Sequence, residues 1–473
     1  MESFEVVIGL EVHTQLKTEA KIFCTCSTNF DSPANNNICP VCCGYPGVLP
    51  VLNKRVLELA VRVCLALNCK INKEIYFERK NYFYPDLPKN YQISQYQMPL
   101  GKDGYLELES GRRIRINRVH LEEDAGKLIH QNQYSLVDFN RTGIPLLEIV
   151  SEPDISSPQE AFNYLGQLKL ILQYIDASDC DMEKGSLRCD ANISLKKSGA
   201  TKLGTKVELK NMNTFKGVRT ALEFETGRQR ELLTKGETIK QDTRLWDAEK
   251  LKTLAMRSKE EAHDYRYFPE PDLLNFSISD GLIEQQKNQV GELPLERGKR
   301  YLNNYPDLDK KEVDILINNY WLAGFFEKII NIYPKAKEVS NWLIGPFLEQ
   351  INSLSGDYNS VKISPQNFST LIRYFSEGKL NNLTAKKVLS LCITTNDDIN
   401  DIIEREKLTQ LSKEDELEYF IDEIIKENPK PVQEYREGKS IAIQFLLGQV
   451  MKKTKGKANP KIAKSILERR LSQ

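Results

Sequence analysis

The stretch Val7 to Leu16, VIGLEVHTQL, is aliphatic except that it sets Glu11 and His13 two residues apart. Side chains of an extended strand alternate between faces, so Ile8, Leu10, Val12, Thr14 and Leu16 share one side, while Gly9, Glu11, His13 and Gln15 share the other. Alone, such alternation describes any sheet with one wet face. Polar faces recur, however, in other strand-like runs. HLEED supplies Glu122, Glu123 and Asp124, CDANIS pairs Asp190 with Asn192, and KVELK sets Lys206, Glu208 and Lys210 opposite Val207 and Leu209. Carboxylates converging with a histidine suit a hard cation such as magnesium, which takes oxygen ligands and keeps waters that phosphates replace.

A second constellation is built of sulfur. Cys24-x-Cys26, twelve residues, then Cys39-Pro-Val-Cys42 gives two close pairs from two turns, the ligand set of a tetrahedral structural zinc with no open position. Cys43 beside Cys42 leaves the fourth ligand ambiguous, and free thiols are the alternative. In RKNYFYPDLPKNYQISQY, Lys80 and Lys89 stand among Tyr82, Phe83, Tyr84 and Tyr91. This loop either holds phosphate by its lysines and a ring by its aromatics, or is packed aromatic structure. Residues 451–473 carry 8 basic and 1 acidic side chains, against 12 acidic and 6 basic over 401–437. Lys452, Lys453, Lys455 and Lys457, followed by Arg469 and Arg470, either neutralise a nucleic-acid backbone or form a solvated charged end. Other chemistries lack their residues. GKS at 438–440 ends like a P-loop but Gln433 stands where its first glycine is required, no G-x-S-x-G occurs, and the four histidines leave few hydrolase bases. His120 and His130 flank the acidic run, and His263 is expected to pack against tyrosines.

These groups need a scaffold. At 473 residues with zero formal net charge, the chain predicts two to four domains. No apolar run approaches a membrane span, and MESFEVVIGL has no basic flank, so a soluble protein of the cytosol or an organelle matrix is expected. EVVIGLEVHTQL, RRIRINRVHLEE, LRCDANISLK and TKVELKN read as strands of a large mixed sheet. NKRVLELAVRVCLALN and SPQEAFNYLGQLKLILQYI have helical spacing, the second opened by Ser157-Pro158. The class is α+β: a catalytic domain over 1–295 with the cysteine insertion at 24–42, a helical domain over 296–405, and a small helical tail over 406–473 whose LSKEDELEYFIDEII reads as a capped helix. No fixed-period repeat is present.

VIGLEVHTQL, CPVCCGYPGVLPVLNK, RKNYFYPDLPKNYQISQ, HLEEDAGK, DFNRTGIPLLEIVSEPD, GSLRCDANIS, VELKNMNTF, MRSKEEAHDYRYFPEPDL and GQVMKKTKGKANP together closely resemble the GatB/GatE family, the B subunits of tRNA-dependent amidotransferases. The motifs run in order through nearly the whole chain, and the length fits the bacterial or organellar type. The resemblance implies a cradle-shaped catalytic domain and a tRNA-binding tail. It implies that ATP phosphorylates the side-chain carboxylate of Glu-tRNA(Gln) or Asp-tRNA(Asn), and that ammonia channelled from an amidase partner, the A subunit, displaces phosphate, with a small C subunit strapping the two together in a GatCAB heterotrimer. Carried over by motif, Glu11, His13, Glu123 and Glu208 would line the magnesium and activation centre with Asp190 nearby. Lys80 and Lys89 would meet the nucleotide, and His13 would either ligate the metal or assist proton transfer. Glu183-Lys184 departs from the family's Gln-Glu pair. The rival readings are a non-catalytic zinc-containing RNA-binding protein and a free-standing ATP-dependent amide ligase.

Overall fold

The computed structural model describes residues 3–256, 265–354, 356, 358–395, 397–406, 408, 414–454 and 458–472, the side chains of 359 and 414–416 excepted. His263, Lys455 and Lys457 lie outside the described residues, as does Ser412, the expected cap of the tail's first helix. The chain divides into two compact units, Met1–Glu296 and Arg297–Gln473.

The first unit is built on a nine-stranded sheet. Its strands in chain order are β1 (Phe4–Gln15), β2 (Lys70–Ile71), β3 (Gly101–Glu107), β4 (Arg113–Glu123), β5 (Pro145–Ser151), β6 (Leu187–Lys197), β7 (Val207–Met212), β8 (Asp242–Asp247) and β9 (Lys252–Ala255). Across the sheet they run β9-β8-β7-β6-β1-β5-β4-β3-β2, with β1 at the centre. The pair β7/β8 is parallel and the others are antiparallel, so the sheet is mixed and the class α+β.

One face is dry. Ile8, Leu10 and Val12 of β1 share a core with side chains of helices α1 (Lys54–Ala66), α2 (Pro158–Tyr174) and α3 (Phe215–Thr234). Burial of this alternate set fixes register, because a one-residue slip would turn every apolar side chain outward. Thr14 also points inward, and its hydroxyl donates to Ser178 Oγ at 2.8 Å. The cap expected for α2 is present: Ser157 Oγ accepts from the Glu160 N–H at 3.1 Å, with Pro158 in the first turn. Ser157→Ala is expected to cost about 1 kcal/mol in denaturant unfolding, the usual value of a side-chain cap.

Helices make up the second unit, with no strand element among its described residues. Its apolar side chains fall into two clusters, one around Tyr301, Phe326, Phe347, Phe368 and Leu389, the other around Leu417, Ile421, Leu446, Val450 and Leu467. One wide turn, Leu343–Phe347, contains Pro346, which has no N–H to give an ordinary helical ladder.

Candidate active site and metal centres

The second face of the sheet gathers the polar residues by cross-strand pairing. In β1, Glu11 lies opposite Asp190 and His13 opposite Arg188 of β6, while His13 also lies opposite Glu148 of β5. Glu148 in turn faces His120 of β4, and Asn192 faces Glu208 of β7. Directly opposed residues point to one side, so the register alone assembles this cluster.

His13 Nε2 stands 3.4 Å from Glu122 Oε1 and 3.4 Å from Glu148 Oε2. His120 Nε2 lies 3.2 Å from the same Glu148 oxygen, and its buried Nδ1 has no hydrogen-bond partner. Burial disfavours a charged His13, but Glu148 and then Glu122 and Asp190 outweigh it and raise its pKa to about 9. The converse holds for Glu148: burial opposes its charge, yet His120 and His13 hold the carboxyl well below its usual range. Lys80 points here as well. Its ammonium sits 4.7 Å from the Tyr265 ring centroid, and against the cost of burial Glu122, Tyr267 and Glu148 keep it charged. Within the aromatic loop Tyr82 packs on Tyr265, while Phe83 and Tyr84 remain exposed.

A second patch adjoins on β6 and β7. Lys210 Nζ donates to Asp190 at 2.5 Å and lies 3.5 Å from Glu208, which also accepts from the Thr243 hydroxyl. Asn192 donates to Glu11 Oε1 at 2.8 Å. From Glu11 and Asn192 a cavity of about 540 Å³ extends beneath residues 202–206 to Gln241. Its roof closes on the sheet only because Gly204 has no side chain, for a Cβ there would meet the Leu195 carbonyl oxygen at 2.0 Å. Arg188 reaches Asp124 at 2.9 Å, and Gln15 donates to the same carboxylate at 2.8 Å.

Glu11, His13, Asp190 and Glu208 therefore share a face as expected, and Lys80 approaches it. Glu123 and Lys89 do not join them. Glu123 follows Glu122 and turns to the apolar side with Leu121 and Val119, where its carboxylate takes Lys89 Nζ at 2.6 Å and the Ile93 N–H at 3.0 Å. The carboxylate beside His13 is Glu122. Glu148, absent from the expected set, was marked by being the lone charge in IPLLEIV, where an unpaired glutamate inside a buried run is costly.

The cysteines also come together. Cys24, Cys26, Cys39 and Cys42 offer sulfurs within 4.8 Å of one another, as do the donor atoms of His13, Glu122 and Glu148. Tetrahedral Zn–S bonds of ~2.3 Å put sulfurs roughly 3.8 Å apart, so the thiol set fits zinc without rearrangement of the fold. Cys42 is the thiolate the site favours: the Cys24 thiol, then the Cys39 amide and Lys21 stabilise it against burial, lowering its pKa to about 4.

In the second unit, Lys453 lies 2.7 Å from Glu427 and 3.0 Å from Glu423, while Arg469 and Arg470 both reach Glu418. Part of the expected phosphate-binding charge is thus spent on the helix Glu414–Glu427. Lys452 is exposed. Among the described residues no helix is long and apolar enough to cross a membrane.

Fold and site define an α+β domain with a carboxylate–histidine sheet face and a separate four-cysteine cluster able to hold a metal. Comparison with known sequences matches residues 6–284 to the GatB/GatE catalytic domain and residues 324–471 to the GatB domain. The relatives from Thermoanaerobacter pseudethanolicus and Carboxydothermus hydrogenoformans are each named as the B subunit of an aspartyl/glutamyl-tRNA(Asn/Gln) amidotransferase. They are 49% identical over 99% of this chain and 47% over all of it, each aligned over its full length. That from Thermodesulfovibrio yellowstonii is 49% identical over 98% of both chains. The chain belongs to the GatB/GatE family.

Proposed function

We propose that the polar sheet face is where the side-chain carboxylate of mischarged Glu-tRNA(Gln), Asp-tRNA(Asn) or both is activated by ATP and converted to the amide. The observation that carries this reading is the donor set of His13, Glu122 and Glu148 on the same face as the Glu11 cavity. The volume lies in the range of small-molecule and cofactor sites. Glu122 and Glu148, with His13 once it has given up its proton, would hold magnesium, which when bound neutralises phosphate oxygens.

The chain's own residues account for the remaining demands. The substrate carboxylate is a poor electrophile until one of its oxygens attacks the γ-phosphorus and ADP departs. Lys80, kept charged between Glu122 and Glu148, neutralises the transferred phosphoryl group. Arg188 and Lys210, each tied to an aspartate on this face, hold the incoming carboxylate in line. Ammonia then attacks the acyl carbon, phosphate leaves, and Glu11, which lines the cavity, accepts the proton released from nitrogen. Ammonia would come from a glutaminase partner, the A subunit, which the small C subunit would hold in place, in the cytoplasm.

The test is to combine the chain with its A and C partners and assay glutamine-dependent amidation of Glu-tRNA and Asp-tRNA separately, with ADP release. Amide and ADP should appear together. Amidation proceeding without ATP consumption would refute the activation step.

The tail over 406–473 is proposed to bind the tRNA backbone through Lys452, Lys455 and Lys457, with Lys453 contributing according to how far Glu423 and Glu427 release it. Lys452→Glu is expected to weaken tRNA binding for both tRNAs alike and to lower the slope of log affinity against log salt by about 1, read by filter binding.

A further inference from the structure

The Lys21 side chain is wholly buried, yet no carboxylate lies within ion-pair distance of it among the described residues. Its ammonium has three donors. They point to the Asn37 carbonyl at 2.7 Å, the Phe139 carbonyl at 3.4 Å and Cys42 Sγ at 3.7 Å. Two carbonyls satisfy hydrogen bonds but supply no counter-charge, and a buried ammonium without an anion is among the costliest groups a fold can hold. Glu123, which lines the same small cavity as Lys21, is already engaged by Lys89. Sulfur is what remains.

We propose that Lys21 is the counter-ion and clasp of the four-cysteine metal centre: its ammonium compensates the metal-bound Cys42 thiolate and ties the two cysteine turns together. The proposal rests on reading Cys24, Cys26, Cys39 and Cys42 as a zinc site. Four thiolates around Zn²⁺ leave a net charge of −2 in a partly buried place, and one ammonium halves it. The backbone makes the clasp symmetrical. Lys21 N–H donates to the Cys26 carbonyl at 3.0 Å, which closes the first turn. Through Asn37 its side chain grips the segment entering the second turn, where the Cys39 N–H also donates to Cys42 Sγ at 3.2 Å. Through Phe139 it grips the loop that leads into β5 and Glu148. The same loop is held to the end of β4 by the Gly143 N–H donating to the Asp124 carbonyl at 2.9 Å. Lys21 therefore acts on the metal through its ligand and is a positioning residue.

Zinc transfer to a chromophoric chelator from the full-length chain measures the effect. Lys21→Met, which keeps the stem and removes the charge, is expected to release zinc ~10–100-fold faster than wild type, the usual range for loss of a group that supports a metal ligand. With cobalt(II) in place of zinc, the thiolate-to-metal charge-transfer band should move to longer wavelength, because a sulfur that loses its N–H donor gives up its electrons more readily. A merely structural role would leave that band in place. Release within twofold of wild type, or an unmoved band, overturns the proposal. A wild-type chain that retains no zinc overturns the metal reading on which it stands. If Lys21→Met does not fold, acetic anhydride labelling of the wild type decides: Lys21 should be protected in the zinc-loaded chain and acetylated after chelation, and equal labelling in both states counts against the clasp.

Discussion

Glu148→Ala is expected to lower kcat/KM for tRNA amidation by at least about 100-fold, the scale of losing a group that fixes reacting centres to within an ångström. Glu148 is the hinge of the polar face. One carboxylate holds His13 at 3.4 Å and His120 at 3.2 Å, and its oxygen is part of the only donor set on this face, among the described residues, whose atoms all lie within 4.8 Å. Its removal leaves two imidazoles in a buried site without the anion that pairs them. Manganese binding, read by electron paramagnetic resonance of the full-length chain, should weaken with it, and tRNA binding should not. Glu148→Gln keeps the shape but not the charge and is expected to fail nearly as badly. Activity within a few-fold of wild type in both variants would remove this cluster from the mechanism.

That Glu148 carries so much was only partly legible from the sequence. Period-two alternation gave the faces of β1, β6 and β7, because burying Ile8, Leu10 and Val12 leaves Glu11 and His13 no other side. The two cysteine pairs were legible from spacing alone. Glu148 was passed over although it is the lone charge of its strand, because PLLEIVS shows no alternation and reads as a core strand buried nearly end to end. Adjacent Glu122 and Glu123 could not be told apart by composition. What separates them is Lys89, 34 residues before Glu123, packed so closely that a Cβ on Gly44 would fall 2.3 Å from its Cγ. In the tail, the pairing of Lys453 with Glu423 and Glu427 and of Arg470 with Glu418 is likewise long-range. Local charge runs announce a basic end but not which of its charges are already spent.

Glu123 supplies the converse expectation, a large loss of stability with its origin outside the chemistry. Its carboxylate and the Lys89 ammonium are 4% and 6% exposed, so neither is screened by solvent, and they lie on the apolar side of the sheet. Removing one partner of such a pair strands the other charge, at a cost of about 3–5 kcal/mol. Glu123→Ala should therefore lower the melting temperature by on the order of 10 °C, given the few degrees per kcal/mol typical of a domain this size. Lys89→Met alone should do much the same, since it strands the carboxylate instead. Replacing both groups by apolar ones removes the two desolvation costs together, so Lys89→Met/Glu123→Leu is expected to recover most of the lost stability. The double variant should also bind manganese at the His13 cluster within a few-fold of wild type. If it melts as low as the two single losses added, the pair is worth more than its burial costs; if it instead loses manganese as Glu148→Ala does, Glu123 belongs to the reaction centre after all.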